Sequence, residues 1–275
     1  MRLSLSFSPC PNDTFIFEPI VNNRIDLEGL AFDITLDDVE NLNKAAINHI
    51  PDITKLSFNA FTSLSDHYQL LNSGSALGNN CGPLLIAKDK LSIEEIPNLK
   101  IAIPGVNTTA YLLLKFAFPK VHFITEMLFS DIEEAVLSGK CDAGLIIHEN
   151  RFTYHLKGLT KIMDLGEYWE KKTGSPIPLG GIVLRRSFDE NLKSKVNRVL
   201  FNSIRYAFEN PGSGMPYIRQ NAQEMDENVM LSHINLYVND YSKDLGPNGK
   251  NAVKKLFKTV HPETTEQFLD LLFVH

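Results

Sequence analysis

The sequence predicts an α/β protein made of two strand–helix blocks followed by a helical tail. Short runs of apolar residues alternate with period two between residues 2 and 187, and segments of helical apolar spacing separate them. The alternation pauses near residue 88 and restarts near residue 99, which marks off the two blocks. Beyond residue 187 the spacing is mainly helical. Strands alternating with helices imply mixed, mostly parallel sheets flanked by helices.

Element by element, residues 2–7 alternate polar and apolar and form a first strand. "SPCPND" is a turn, because two prolines do not continue a sheet interior. A helix then runs from Thr14, with Asn12 or Asp13 as its cap. "LAFDITLDD" (30–38) is a strand, "VENLNKAAINH" (39–49) a helix and "DITKLSF" (52–58) a short strand. "SALGNNCGPLLIAK" (75–88) is a glycine-rich loop entering a buried strand. In the second block "LKIAIPG" is a strand, and "VNTTAYLLLKFAF" is a loop entering a helix capped by Asn107 or Thr108. "KVHFITEM" is a strand, "SDIEEAVLSGK" a helix closed by Gly139, and "CDAGLIIH" and "GGIVLRRS" are strands. Four helical stretches follow, from Asp189 to the region of Val260.

Composition excludes several classes. The 275 residues are 43% hydrophobic and 22% charged, an ordinary globular balance that needs neither disulfide nor metal to fold. A net charge of −6 without a basic stripe speaks against a nucleic-acid partner. No run approaches the ~20 apolar residues of a membrane span, and the first fifteen lack a signal peptide's apolar core, so a cytoplasmic location is expected. Cys10, Cys81 and Cys141 lie far apart with no CxxC pair, which fits free thiols in a reducing compartment. No metal-ligand pattern is present among the histidines. His233, in a helical stretch, reads as a packing or capping residue.

In open α/β sheets ligands bind beyond the carboxyl ends of the strands. "SPCPNDT", "GVNTTA" and "IHENRFTY" occupy such ends, and "TKLSFNAF" is consistent with one. In "GVNTTA" Thr108 and Thr109 bring hydroxyls to a helix start whose N–H groups and partial positive charge suit an anion, although an ordinary N-cap explains it equally. In "SPCPNDTF" Asn12 and Thr14 either line a rigid wall of a ligand site or simply begin a helix. His148 is the sharpest signal. The apolar run Leu145-Ile146-Ile147 ends in a histidine beside Glu149 and Arg151. Histidine's ordinary pKa of ~6.5 makes it a usable general base near neutrality. A lone histidine is also common as a structural residue, and Arg151 equally fits a structural ion pair.

Together "SPCPNDTFIF", "DDVENLN", "TKLSF", "SALGNNCGPL", "PGVNTTAYLLL", "AGLIIHENRFTY" and "DLGEYWEKKTGSPIPLGGIVLRR" resemble the 1,4-dihydroxy-6-naphthoate synthase family of the futalosine route to menaquinone. The likeness runs from residue 3 to about residue 258 and departs at Cys81. It implies a two-lobed fold like that of type II periplasmic solute-binding proteins, with a ligand cleft between lobes. It implies a lyase, without metal or redox cofactor, that cleaves cyclic dehypoxanthinyl futalosine to 1,4-dihydroxy-6-naphthoate and dihydroxyacetone. The family's base falls on His148, its hydroxyl pair on Thr108 and Thr109, and its "TKLS" serine on Ser57. Asn12, Thr14, Lys55, Arg151 and Tyr154 complete the candidates for substrate contact.

The expected lobes are residues 1–87 with 185–275, and residues 88–184. The C-terminal helices either complete a lobe or pair two copies as a homodimer. Two alternatives compete on the same fold: a binding or sensing protein without turnover, and the sister enzyme chorismate dehydratase.

Overall fold

A computed structural model describes residues 1–222 and 226–274. The chain divides into two compact units, Met1–Gly78 with Pro178–His275, and Asn79–Ile177. In chain order the larger unit begins with β1 (Arg2–Phe7), α1 (Pro11–Val21), β2 (Ala31–Leu36), α2 (Val39–Ile47), β3 (Ile53–Ser57), α3 (Phe58–Leu64), β4 (Tyr68–Leu70) and β5 (Ala76–Gly78). The smaller unit holds β6 (Leu84–Ala87), β7 (Ile101–Ile103), α4 (Thr109–Ala117), β8 (Ile124–Glu126), α5 (Ile132–Leu137), β9 (Ala143–Ile146), α6 (Asn150–Thr153), β10 (Thr160–Asp164) and α7 (Leu165–Thr173). The chain re-enters the larger unit through β11 (Ile177–Arg185), and α8 (Glu190–Glu209), α9 (Met215–Asn221), α10 (Glu227–Tyr237), α11 (Asp240–Lys243), α12 (Gly246–Val260) and α13 (Glu266–Asp270) follow. No helix among the described residues is long and apolar enough to cross a membrane.

Each sheet is mixed, as expected, with parallel pairs on one side and antiparallel pairs on the other. In the larger unit the order is β2-β1-β3-β11-β4, with β5 also on β11. Here β1 is parallel to β2 and β3, whereas β11 is antiparallel to β3 and β4. In the smaller unit the order is β10-β6-β9-β7-β8. There β7 is parallel to β8 and β9, and β6 is antiparallel to β9 and β10. Periodicity reveals that a segment is extended, but its direction depends on which neighbour it pairs with. The unit boundaries also differ from the expected 87/88 and 184/185. β6 pairs inside the smaller sheet and β11 inside the larger one, so the divisions fall at 78/79 and 177/178.

The cores follow from the apolar periods. On α8, Val196, Val199, Leu200, Ile204 and Ala207 recur at three- and four-residue spacing and are buried with Leu3, Leu5 and Phe7 of β1. In the smaller unit Ile132 and Val136 of α5 pack with Ile86, Ala102 and Ile146 of the sheet. Fully burying side chains of this size stabilises by about 1.5–3 kcal/mol each. Helix α1 starts earlier than its polar residues suggest. Cys10 is the N-cap, and Pro11 takes the first helical position, where its missing N–H is harmless. Asn12 and Asp13 are therefore inside the helix and not its caps.

Candidate active site

In the smaller unit β7 and β9 are parallel neighbours, Ile101 beside Ala143 and Ala102 beside Gly144, so their carboxyl ends lie side by side. Beyond β7 the chain turns into α4 at Thr108. The Thr108 hydroxyl donates to Gly105 O at 2.7 Å and accepts from Tyr111 N at 3.2 Å, which makes Thr108 the N-cap. Thr108 and Thr109 are both buried. Beyond β9 the backbone reaches His148 with φ +57°, in the left-handed region. Held there, a non-glycine residue costs on the order of 1–3 kcal/mol, and such strain collects at functional sites. The strand therefore ends in a kink that carries a half-buried imidazole, packed edge-on to Phe129 with centroids 4.9 Å apart.

Ion pairs on two buried carboxylates flank that kink. Arg151 Nη2 donates to Asp164 Oδ2 at 2.7 Å and to Asn80 O at 2.8 Å, while Nη1 donates to Gly82 O. The second oxygen of Asp164 caps α7 by accepting from Gly166 N and Glu167 N. Gly82 is required beside this cap, since a Cβ there would lie 2.3 Å from Gly166 Cα. Asn150 Nδ2 and Lys157 Nζ both donate to Glu133 Oε2 at 2.6 Å, and Glu133 is only 1% exposed.

In the larger unit β1 and β3 are also parallel neighbours. Their carboxyl ends carry a second polar cluster, centred on the fully buried Asp13. Its carboxylate accepts from Ser8 N and Oγ, from Asn12 Nδ2 at 2.7 Å and from Lys55 Nζ at 2.7 Å. Because Asn12 Nδ2 points at Asp13, its Oδ1 faces His233 Nε2 at 3.1 Å, and that nitrogen is the donor. Ser57 N donates to Asn43 Oδ1 at 3.0 Å, and Asn43 Nδ2 donates back to Ser57 Oγ at 3.1 Å. Gly180 of β11 stands opposite Ser57, and a Cβ there would come within 2.7 Å of Leu56 O and 3.1 Å of Lys55 Cε.

Residues 3–262 match the sequence profile of a family described as menaquinone biosynthesis. The chain belongs to this menaquinone biosynthesis family. A 1,4-dihydroxy-6-naphthoate synthase of Thermus thermophilus is 41% identical over 255 residues, 93% of this chain and 92% of its own. One from Streptomyces coelicolor is 39% identical over 259 residues, 92% of this chain and 91% of its own. Among solved structures, an Archaeoglobus fulgidus protein superposes with a TM-score of 0.90 at 32% identity, covering 95% of this chain and 97% of that one. The periplasmic aliphatic sulphonate binding protein SsuA of Escherichia coli superposes at a TM-score of 0.64 and 9% identity, covering 100% of this chain and 92% of that one. At that identity the likeness concerns architecture alone, and the architecture is the periplasmic-binding-protein fold.

Within this menaquinone biosynthesis protein the expected site residues sort into groups. His148, Thr108 and Thr109 lie just beyond the ends of adjacent strands of the smaller unit. Asn12 and Lys55 meet on Asp13, and Ser57 is held by Asn43. Thr14 is fully buried, and its hydroxyl is engaged by Cys10 O and Pro11 O of its own helix. Arg151 has its terminal fork engaged within the unit. Tyr154 packs on the smaller unit's core and edge-on to His155. His233, expected to pack or cap, is fully buried against Tyr237 and also joins the Asn12–Asp13 network. Asp13, Asn43 and Asp164 lie inside the quoted motifs, but neither they nor Glu133 was singled out as a site residue, because a motif does not show which distant side chain meets it. Their partners come from other elements, up to 42 residues away for Asp13. Cys81 is buried, and burial pushes its thiol up to about 12, which suits an inert neutral group.

Proposed function

We propose that this protein is a 1,4-dihydroxy-6-naphthoate synthase. It is a carbon–carbon lyase that converts cyclic dehypoxanthinyl futalosine to 1,4-dihydroxy-6-naphthoate and releases dihydroxyacetone, with His148 as its general base. The observation that carries this reading is the left-handed kink that sets the His148 imidazole at the carboxyl end of β9, next to the strand that feeds the Thr108 helix start. The names of the two curated relatives support it, at 41% and 39% identity.

Cleavage with aromatisation needs a proton removed from a hydroxyl, or from a carbon beside a carbonyl. A positioned imidazole does this and typically contributes about 10²–10⁴-fold in rate. The start of α4 presents the positive end of its dipole, which favours the substrate's carboxylate or a developing oxyanion. In the larger unit Lys55, Asn12 and Ser57 are the proposed polar contacts. Asp13 balances the buried Lys55 ammonium, so the cluster tolerates a cation away from water.

The test is to incubate the purified chain with cyclic dehypoxanthinyl futalosine and follow the naphthoate by chromatography, in wild type and in His148→Ala. Product from wild type and a loss of at least ~10²-fold in the folded variant are expected. Equal rates would discard the base and keep the enzyme. Binding without product would point to a binding protein, and turnover of chorismate instead would point to the sister dehydratase.

A further inference from the structure

We propose that Asp164 and Glu133 are positioning residues for His148, acting through Arg151 and Asn150, and that Arg151 makes no contact with substrate. The proposal rests on the reading of His148 as the base. His148 lies between the last residue of β9, Ile146, and a helix of four residues, with its backbone in the left-handed region. So short a helix holds such a turn weakly by its own hydrogen bonds. Two buried carboxylates supply the hold. On one side Asn150, two residues after His148, donates to Glu133 of α5, and Lys157 closes on the same oxygen. On the other side Arg151, three residues after His148, is bound to Asp164 and to the carbonyls of Gly82 and Asn80. The kink is thereby tied to α5, to the chain entering β6 and to the cap of α7.

The arginine geometry decides between positioning and substrate contact. Bidentate recognition of a substrate carboxylate uses the parallel donors of the guanidinium fork. Here both terminal nitrogens are directed at protein oxygens, and Asp164 already balances the charge. The lost freedom of the following residues is what keeps the imidazole in one place. A general base displaced by about 1 Å loses on the order of 10²-fold in rate.

Asp164→Asn tests one anchor and Glu133→Gln the other. Asparagine still caps α7, so the fold of that helix is kept while the carboxylate charge that faces Arg151 is lost. Each variant is expected to lower kcat about tenfold or more, with KM within about threefold. Combined with His148→Ala, Asp164→Asn should change the residual rate by less than about twofold, because a residue acting through His148 has nothing left to position. The His148 imidazole signal, assigned in nuclear magnetic resonance spectra by its loss in His148→Ala, should shift in Asp164→Asn while those of His122 and His261 stay. A raised KM with unchanged kcat would overturn the proposal and make the arginine network a substrate contact. So would a full additional loss in the His148→Ala background, or an unmoved His148 signal. If wild type forms no product, the reading of His148 as base fails, and the imidazole signal alone decides whether Asp164 positions that side chain.

Discussion

Replacing Asp13 by leucine and Lys55 by methionine, singly and together, exposes an asymmetry in the larger unit. The two charges form an ion pair at 2.7 Å, with side chains 1% and 8% exposed. Asp13 is the acceptor for the Lys55 ammonium among the described residues, whereas Lys55 is one of four donors to Asp13. Asp13→Leu therefore leaves a buried ammonium without its carboxylate. Breaking a buried pair in this way costs about 3–5 kcal/mol. It also removes the acceptor of Asn12 Nδ2 and of the Ser8 hydroxyl, at about 1–3 kcal/mol for each group left unsatisfied. Lys55→Met leaves a carboxylate that still accepts three hydrogen bonds, so about 1–3 kcal/mol is expected. The double variant removes both charges and should be less destabilised than the sum, with a coupling of at least about 1 kcal/mol. Urea unfolding at neutral pH, followed by circular dichroism with slopes compared so that the midpoint reads stability, measures all three. The reasoning is refuted if Lys55→Met costs as much as Asp13→Leu, or if the two single losses add.

Two further outcomes are expected. Burial raises the Cys81 thiol from 9.0 to about 12, so between those values the unfolded chain holds fewer protons than the folded one. Stability that is constant below pH 9.0 should then fall by about 1.4 kcal/mol per pH unit above it, and Cys81→Ala should abolish this component. Urea midpoints of both proteins through this alkaline range provide the check, and a pH-independent difference between them would count against it. Gly82→Ala places a methyl 2.3 Å from Gly166 Cα, main chain against main chain, so no side chain can yield. A loss of about 1–3 kcal/mol is expected from this overpacking, and an unchanged thermal midpoint would show that the close approach is not real.

Much of the architecture was present in local patterns. The period-two runs of β1 and β2, the short apolar runs of β7, β9 and β11, and the three- and four-residue spacing of α2, α4, α5 and α8 are properties of at most twenty residues at a time, and a single chain shows them directly. The change from Ile147 to His148 was visible for the same reason: an apolar strand and a polar end differ within three residues. Short elements escaped this reading. α3 follows β3 with no intervening turn residue, and β4 has only three residues, too few to establish a period.

The sequence by itself determined the α/β class, the order of most elements, the menaquinone biosynthesis family and the place of His148 at the end of an apolar strand. Tertiary structure alone decided strand direction, the unit boundaries and the company each polar residue keeps. Asn12 meets His233 across 221 positions, and Arg151 meets Asn80 across 71. Neither pairing leaves a mark on the residues between. Both arise because a buried polar group must find a partner wherever the packed sheets and helices bring one within hydrogen-bonding distance. The left-handed turn at His148 belongs to the same class of fact. Its cost is intrinsic to the residue, but what sustains it comes from Glu133, Asp164 and the chain around Gly82, which only the folded unit assembles.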